Sequence, residues 1–512
     1  MPNNEFGDFQ TPRALAAKVF EVLPKKEWTR ILEPTCGVGN FLHEAAGYAA
    51  DAEIVGIEVQ ADYVDEARLA RAEVIQADIF SMHLGQDVSW GKEGPLLVVG
   101  NPPWVTNAQL SRLASSNRPD RVNLRNLRGM DAMTGASNFD IAEFVWLKLI
   151  SELQRHNPTI SLLCKTQVAR NILEYCSQFG LPISSASVHL INAKQWFDAN
   201  VDACLFTVEV GTGPASYDCA LYDSLDSVRP SRRFGVADGR LVADIDAYGE
   251  GHRVDGHCPL EWRQGMKHDA AGVMELVHLD GPHSRSGEPV DVEESHVYPL
   301  LKGTDVFRGR TGLSKWVVVT QKSLGEDTTQ LAHTAPKLWS YLNKNAEALD
   351  GRKSSIYRNR PRFCVFGIGD YSFAPYKIAV SGLHKSAEFR LIAPLAGKPV
   401  FLDDTCYLLP FNDPQEAALV LALLRSKPAQ DFFRTFTFWD AKRPITKKLL
   451  QKIDLGAVAA VCSDIEIIES AERSIREIGP LEAEKPLGDL FGEMKRRWVS
   501  TEAVATAEEQ LF

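Results

Sequence analysis

Leu97–Trp104 reads LVVGNPPW, and the fold turns on how this stretch is read. Leu96 to Val99 are apolar and partly β-branched, as in a strand buried on both faces of a parallel sheet. Gly100 ends the run, and Asn101, Pro102 and Pro103 follow. Consecutive prolines cannot donate to a β-ladder, so the chain has to leave the sheet there. An amide, a rigid carbonyl and an indole then stand at the carboxyl end of a strand, where open α/β sheets bind ligands. Such a group suits an exocyclic amino nitrogen, a poor nucleophile because its lone pair is delocalised into a ring. The Asn101 amide oxygen and the Pro102 carbonyl can accept its two N–H bonds and favour a tetrahedral nitrogen able to attack a methyl sulfonium, while Trp104 stacks on the ring. The same residues also fit a plain strand-ending turn with a core tryptophan, and the rest of the chain has to decide.

Upstream, Arg30–Leu42 reads RILEPTCGVGNFL: a short strand, a turn from Glu33 to Gly39, and a helix opening at Asn40. Gly37 and Gly39 allow a ligand close to the backbone. The strand Glu53–Glu58 ends in a carboxylate placed to accept ribose hydroxyls, and the strand Val74–Gln76 leads to Asp78, placed to accept from an adenine amino group. A dinucleotide site competes, but Leu42 occupies the third glycine position and Glu33 would repel a pyrophosphate. An acid in that turn suits a sulfonium with an amino-acid tail, which favours S-adenosylmethionine. Thr11 and Pro12 read as the cap and first turn of a helix over Ala14–Leu23.

Downstream, Val105–Ser137 is a long polar stretch bearing Arg112, Arg118, Arg121, Arg125 and Arg128. A helix over Phe139–Leu153, a strand over Thr159–Cys164, a helix over Val168–Phe179 and strands over Ser187–Ile191 and Cys204–Val210 follow. The alternation predicts an α/β, Rossmann-like doubly wound sheet of about seven strands, mostly parallel.

The order FGDFQTP, LEPTCGVGNF, IEV, ADIF, GNPPW resembles the gamma class of adenine-N6 DNA methyltransferases of bacterial restriction-modification systems. The resemblance covers residues 6 to 210 by motif and the remainder by layout. It implies a class I S-adenosylmethionine methyltransferase domain acting on an adenine flipped out of double-stranded DNA. Gln10, Thr11 and Pro12 would then meet the methionine end of the cofactor, and Glu33, Cys36, Gly37 and Gly39 would line its loop. Glu58 would hold the ribose and Asp78 the adenine. Asn101, beside the cofactor, would hold the target base with Pro102 and Trp104. Phe197, in Trp196-Phe197-Asp198, would stack on the base's other face, a core phenylalanine being the alternative. The sequence departs from the family in two respects: tryptophan stands where tyrosine is commonest, and the loop after it is long and arginine-rich, with Arg121, Arg125 and Arg128 candidates for DNA contact. An RNA or protein-glutamine methyltransferase, or a silent DNA-binding subunit of a defence complex, is the rival reading; the large carboxyl-terminal domain and intact Asn101, Glu58 and Asp78 favour the DNA enzyme. A separate restriction endonuclease or defence-system subunit is a further expected partner.

The expected organisation is a catalytic domain over 1–215, a linker over 216–255, a mixed α+β target-recognition domain over 256–455 and a helical tail over 456–512, with helices over Ala457–Glu477 and Glu493–Glu509. Strand-like runs occur at Trp316–Thr320, Phe363–Gly367 and Lys377–Val380. Two basic stretches are interleaved with aromatics: Arg352–Arg362, with Arg358, Arg360 and Arg362 around Tyr357, and Arg434–Lys452, with Lys442 and Arg443 near Phe436, Phe438 and Trp439. Both suit phosphate contact and stacking, although the lysines equally suit a solvated helix face. The tract Trp262–Met274 is a further candidate for base contacts. Asp440-Ala-Lys442 matches half of a nuclease D-x-K signature, but no acidic partner precedes it and the chain begins at the cofactor motif, so no nuclease is expected. The histidines between His252 and His283 are too irregular for metal ligands, and no metal is expected.

Across 512 residues the net charge is -11, which argues against non-specific coating of nucleic acid and requires any DNA contact to be a concentrated basic patch. Nine scattered cysteines without a CxxC pair suit reduced thiols in a cytoplasm. The polar amino terminus does not read as a signal peptide, and no apolar run reaches membrane-spanning length.

Overall fold

Five apolar segments build the centre of the first sheet: β1 (Arg30–Glu33), β2 (Glu53–Glu58), β3 (Glu73–Gln76), β4 (Leu96–Gly100) and β5 (Thr159–Lys165). The computed structural model describes residues 10–104, 140–211, 213–310, 315–479 and 485–509. β1 and β4 are buried at every position, as strands covered on both faces must be. β1 pairs in parallel with β2 and with β4, β2 with β3, and β4 with β5. β7 (Ala203–Val210) runs antiparallel between β5 and β6 (Ile183–Ile191).

The expected seven strands form one block, ordered β6-β7-β5-β4-β1-β2-β3, of a ten-stranded sheet. The additional three lie where a linker was expected. β8 (Asp218–Tyr222) joins β6 in parallel, and β9 (Arg232–Ala237) and β10 (Arg240–Val242) continue antiparallel. The chain divides into two units after Asp246, so most of 216–255 belongs to the first unit.

Helix α1 (Arg13–Val22) buries Leu15, Ala16, Val19 and Phe20, and Phe20 meets Phe41 of α2 (Asn40–Tyr48) at 6.4 Å between ring centroids. Pro12, not Thr11, is the N-cap of α1, and its carbonyl accepts from the N–H groups of Leu15 and Ala16. Thr11 instead offers its carbonyl to Asn40 Nδ2 at 2.9 Å, tying the start of α1 to that of α2.

The second unit holds a four-stranded sheet, whose central strands are Tyr376–Ser381 and Cys406–Phe411, and a five-stranded sheet containing Val297–Leu301 and Trp316–Val318. Phe363–Gly367 is not a strand: Phe363 and Gly367 take φ of +64° and +66°. Phe366 makes only an isolated antiparallel bridge to Lys267, and beside it the buried Gln321 side chain donates from Nε2 to the Val365 carbonyl and accepts the Val365 N–H at Oε1, both at 3.1 Å. The tail is helical over Leu455–Val461, Asp464–Ile478 and Leu487–Glu509, so the first expected helix is broken at Cys462-Ser463 and the second starts earlier. Every cysteine is free, and all but Cys462 are buried. Among the described residues no helix is long and apolar enough to cross a membrane, and no group of His, Cys, Asp or Glu is arranged to hold a metal ion.

Candidate active site

The chain order reverses between β1 and β4, and a cleft of about 850 Å³ opens there at the strands' carboxyl ends. It is lined from β1 by Glu33–Gly37, from β2 by Ile57–Gln60, from the turn after β3 by Ala77–Phe80 and from β4 by Asn101–Pro103, with Gln10, Thr11, Asn40 and Phe41 completing it. Nine residues singled out from the sequence therefore share one cavity: Gln10, Thr11, Glu33, Cys36, Gly37, Glu58, Asp78, Asn101 and Pro102. Pro12 and Gly39 stand outside the lining as the N-caps of α1 and α2.

The glycines earn their place through geometry. Gly37 and Gly39 take φ of +52° and +83°, values that penalise any residue with a Cβ. A Cβ at Gly37 would lie 2.6 Å from Gln10 Oε1, and one at Gly39 2.9 Å from the Ala67 backbone. The loop is then stitched to its surroundings. Gly37 N donates to Glu58 Oε2 at 2.9 Å, Gln60 N to Glu58 Oε1 at 2.8 Å, and Val38 N to Gln10 Oε1 at 3.2 Å. Asp78 Oδ1 accepts from Phe80 N at 2.9 Å, which fixes the acidic turn.

Glu33 lies wholly inside the protein. Burial pushes its carboxyl well above the usual range, the Glu58 charge adds to the rise, and a backbone hydrogen bond at Leu42 opposes it. Its Oε2 and the hydroxyl of Thr35 are buried at the cavity wall with no hydrogen-bond partner among the described residues. Burial also pushes the Cys36 thiol far up, with Glu33 and Glu58 adding to it, so Cys36 serves as wall and not as thiolate nucleophile. Thr35 was not singled out from the sequence, although it lies inside the quoted turn; only burial distinguishes it.

Trp104 is buried, and its indole N–H donates to the Leu163 carbonyl at 3.3 Å. Phe197, at the end of the short helix Ala193–Phe197, meets it edge-on at 5.2 Å and 71°. The two aromatics are thus neighbours, edge to face, with no gap for a planar ring between them.

Arg121, Arg125 and Arg128 lie outside the described residues. In the second unit Arg362 pairs with Asp350 at 2.6 Å and also donates to Asn343 Oδ1. Arg352 donates to the carbonyls of Leu349, Cys364 and His268 and covers the Tyr357 ring at 3.7 Å. These two arginines are engaged within the fold, whereas Arg358 and Arg360 are exposed. Lys442 is exposed and Arg443 half-buried, in the turn before the helix Lys447–Leu450. Phe436 is core, as is Trp262, which is fully buried and unable to touch a base.

A parallel sheet with β7 inverted beside β5, a glycine turn after β1 and an acid closing β2 define a class I methyltransferase dependent on S-adenosylmethionine. The lining fits that cofactor: the buried Glu33 oxygen and Thr35 hydroxyl, without partners among the described residues, suit a ligand that carries an ammonium and hydroxyls. More narrowly, the chain belongs to the type II methyltransferases. It is 40% identical over 471 residues to the type II methyltransferase M.NspV of Nostoc sp., covering 89% of this chain and 98% of that one. A shorter match, 33% identical over 101 residues, is to the type II methyltransferase M.CvrRI of a Paramecium bursaria Chlorella virus, covering 20% of this chain and 25% of the viral one. Among solved structures, the type IIL restriction-modification enzyme MmeI in complex with DNA shares the fold with a TM-score of 0.55 at 12% identity, covering 96% of this chain and 70% of MmeI. No family model matches the chain.

Proposed function

We propose that this protein is a site-specific DNA methyltransferase that methylates N6 of an adenine flipped out of duplex DNA, within a cytoplasmic restriction-modification or phage-defence system. The observation that carries the reading is the Asn101-Pro102-Pro103-Trp104 turn, which closes β4 and whose Asn101, Pro102 and Pro103 line the same cavity as Glu58 and Asp78. When bound, S-adenosylmethionine supplies an electrophilic methyl group on a sulfonium. Glu58 and Asp78 hold its ribose and adenine, Gln10, Thr11 and Pro12 flank its methionine end, and the acids of the cavity complement its positive charge. Asn101 Oδ1 and the Pro102 carbonyl accept the two N–H bonds of the target amino group and turn its lone pair out of conjugation. Pro102 and Pro103 fix the backbone torsions, so these acceptors are held in place before substrate arrives. Extrahelical presentation is required because N6 inside the stack cannot reach a bulky cofactor. Trp104 and Phe197 take the base between their faces, which requires the two rings to part from their edge-on contact. Phosphate contacts fall to Arg358, Arg360, Lys442 and Arg443 in the second unit, and to Arg121, Arg125 and Arg128. In this setting a separate endonuclease of the same specificity is the partner.

The M.NspV relative supports the reaction class, and MmeI, whose structure was solved with DNA, supports the substrate. The test is transfer of label from tritiated cofactor to duplex DNA, with RNA and protein as parallel acceptors, followed by modified-base sequencing. Label in N6-methyladenine at one short sequence, lost in Asn101→Ala while cofactor binding persists, is the expected outcome. Label in cytosine, in RNA or in protein, or an Asn101→Ala enzyme with wild-type turnover, would overturn the reading.

A further inference from the structure

The helix Ile141–Leu153 buries nearly every residue, almost all of them apolar, yet it also buries Lys148 at 5% exposure. An ammonium among apolar side chains is costly unless its protons are all taken up. Here two acceptors meet it. Lys148 Nζ donates to the Met82 carbonyl at 2.5 Å and pairs with Glu152 Oε1, one turn on, at 2.6 Å. The other Glu152 oxygen accepts the Leu84 N–H at 2.7 Å. Phe144, a turn before Lys148, meets Phe80 edge-on at 5.2 Å. Phe80, Met82 and Leu84 belong to the segment that leaves β3 through Asp78, and Asp78 and Phe80 line the cofactor cavity. Within that segment Ser81 N and Oγ both donate to the Asp78 carbonyl, at 2.9 and 2.8 Å. A shift at Met82 is thereby passed to Asp78 within four residues.

We infer that Lys148 and Glu152 are positioning residues for the cofactor, setting the Asp78 segment at the depth where its carboxylate meets the adenine amino group. The inference rests on the reading of Asp78 as the adenine contact. It differs from a role in fold stability alone: a loosened segment loses recognition of the amino group in particular, whereas a generally weakened fold binds every adenosine-like ligand less well by the same factor.

Full-length wild type, Asp78→Asn, Lys148→Met and Glu152→Ala are compared by calorimetry with S-adenosylhomocysteine and S-inosylhomocysteine, which differ in the amino group. A site built to accept that hydrogen bond rejects the inosine compound, by about ten-fold or more in wild type. Asp78→Asn brings the ratio of the two affinities to about one, and Lys148→Met brings it most of the way there. If Lys148→Met does not fold, Glu152→Ala, whose side chain is 27% exposed, gives the same readout. A wild-type ratio in both Lys148→Met and Glu152→Ala, with Asp78→Asn collapsed, overturns the positioning role and leaves the Asp78 reading standing. A wild-type ratio in Asp78→Asn overturns that reading, and this inference with it.

Discussion

Two glycine substitutions at the two ends of one helix should have opposite signs. Gly39 caps α2 at φ +83°, and a Cβ there would sit 2.9 Å from Ala67 Cα and 3.1 Å from Ala67 Cβ. Holding an alanine in the left-handed region costs about 1–2 kcal/mol. Forcing a methyl against helical backbone adds about 1–3 kcal/mol, because Ala67 closes the helix Ala61–Ala67 and cannot swing aside. Gly39→Ala should therefore lose about 2–5 kcal/mol. Gly47 lies in the last turn of the same helix, with nothing within 4 Å of an added Cβ. Gly47→Ala should gain about 0.5–1 kcal/mol through helix propensity and reduced freedom of the unfolded chain. Urea titrations followed by circular dichroism give both values, and calorimetric titration with S-adenosylmethionine gives a second axis: weaker binding for Gly39→Ala, since the cap continues the Gly37 turn, and no change for Gly47→Ala. A Gly39→Ala protein within about 0.5 kcal/mol of wild type would refute the steric reasoning. So would two variants that move together.

Glu58→Gln removes the carboxylate while keeping one acceptor for the Gly37 and Gln60 N–H groups, and should weaken cofactor binding by about 1.5–3 kcal/mol with DNA affinity unchanged; calorimetry against gel-shift titration separates the two. Glu143 is pushed up to about 7 by burial, against a hydrogen bond from Asn171 that pulls it down. Because its folded value is raised, its contribution to stability is complete below about pH 4.5 and disappears as the pH climbs through about 7. Glu143→Gln should flatten that part of the stability profile, and denaturant midpoints at pH 5 and pH 8 that differ as much as in wild type would count against it. Arg362→Ala should cost at most about 1 kcal/mol, the scale of an exposed ion pair, and leave the salt dependence of DNA binding intact, since its partner is Asp350. The Arg358→Ala, Arg360→Ala double variant should lower the log–log salt slope by about 2, and an unchanged slope would move the contact surface elsewhere.

The strands around the site were legible because each is a short apolar run with a marked end: Pro34 after β1 and Asn101-Pro102 after β4 cannot continue a strand, and β2 ends on the acid Glu58. Periodicity and turn chemistry agree at those positions, and the cavity follows from where the chain order reverses. β8 to β10 are hard to read because their runs are brief and separated by glycine, proline and serine, so only pairing, of β8 to β6, β9 to β8 and β10 to β9, makes them strands. The opposite error occurred at Phe363–Gly367, where apolar content mimics a strand but pairing shrinks to one bridge at Phe366 and the Gln321 side chain satisfies the Val365 backbone. Charge was the least readable feature. Composition counts Arg352 and Arg362 as available cations, and only three-dimensional pairing shows them bound to carbonyls and to Asp350. Likewise, the turn Glu33–Gly39 is visible in sequence, but the unpartnered state of Glu33 Oε2 and Thr35 Oγ1 is a property of burial.

The ten-stranded sheet ends in β3 on one rim and β10 on the other. β3 has four residues with Glu73 and Gln76 exposed at its ends, and β10 has three and begins with Arg240. A rim this short offers few backbone groups to an incoming strand, and a charged side chain on each makes docking there costly to desolvate. The longer, more apolar strands lie inside, where every ladder is already occupied. Self-association through this sheet by edge-to-edge templating is therefore disfavoured, and copies that gather through the first unit must do so through side-chain surfaces, which can be specific and reversible where a shared sheet would grow without limit.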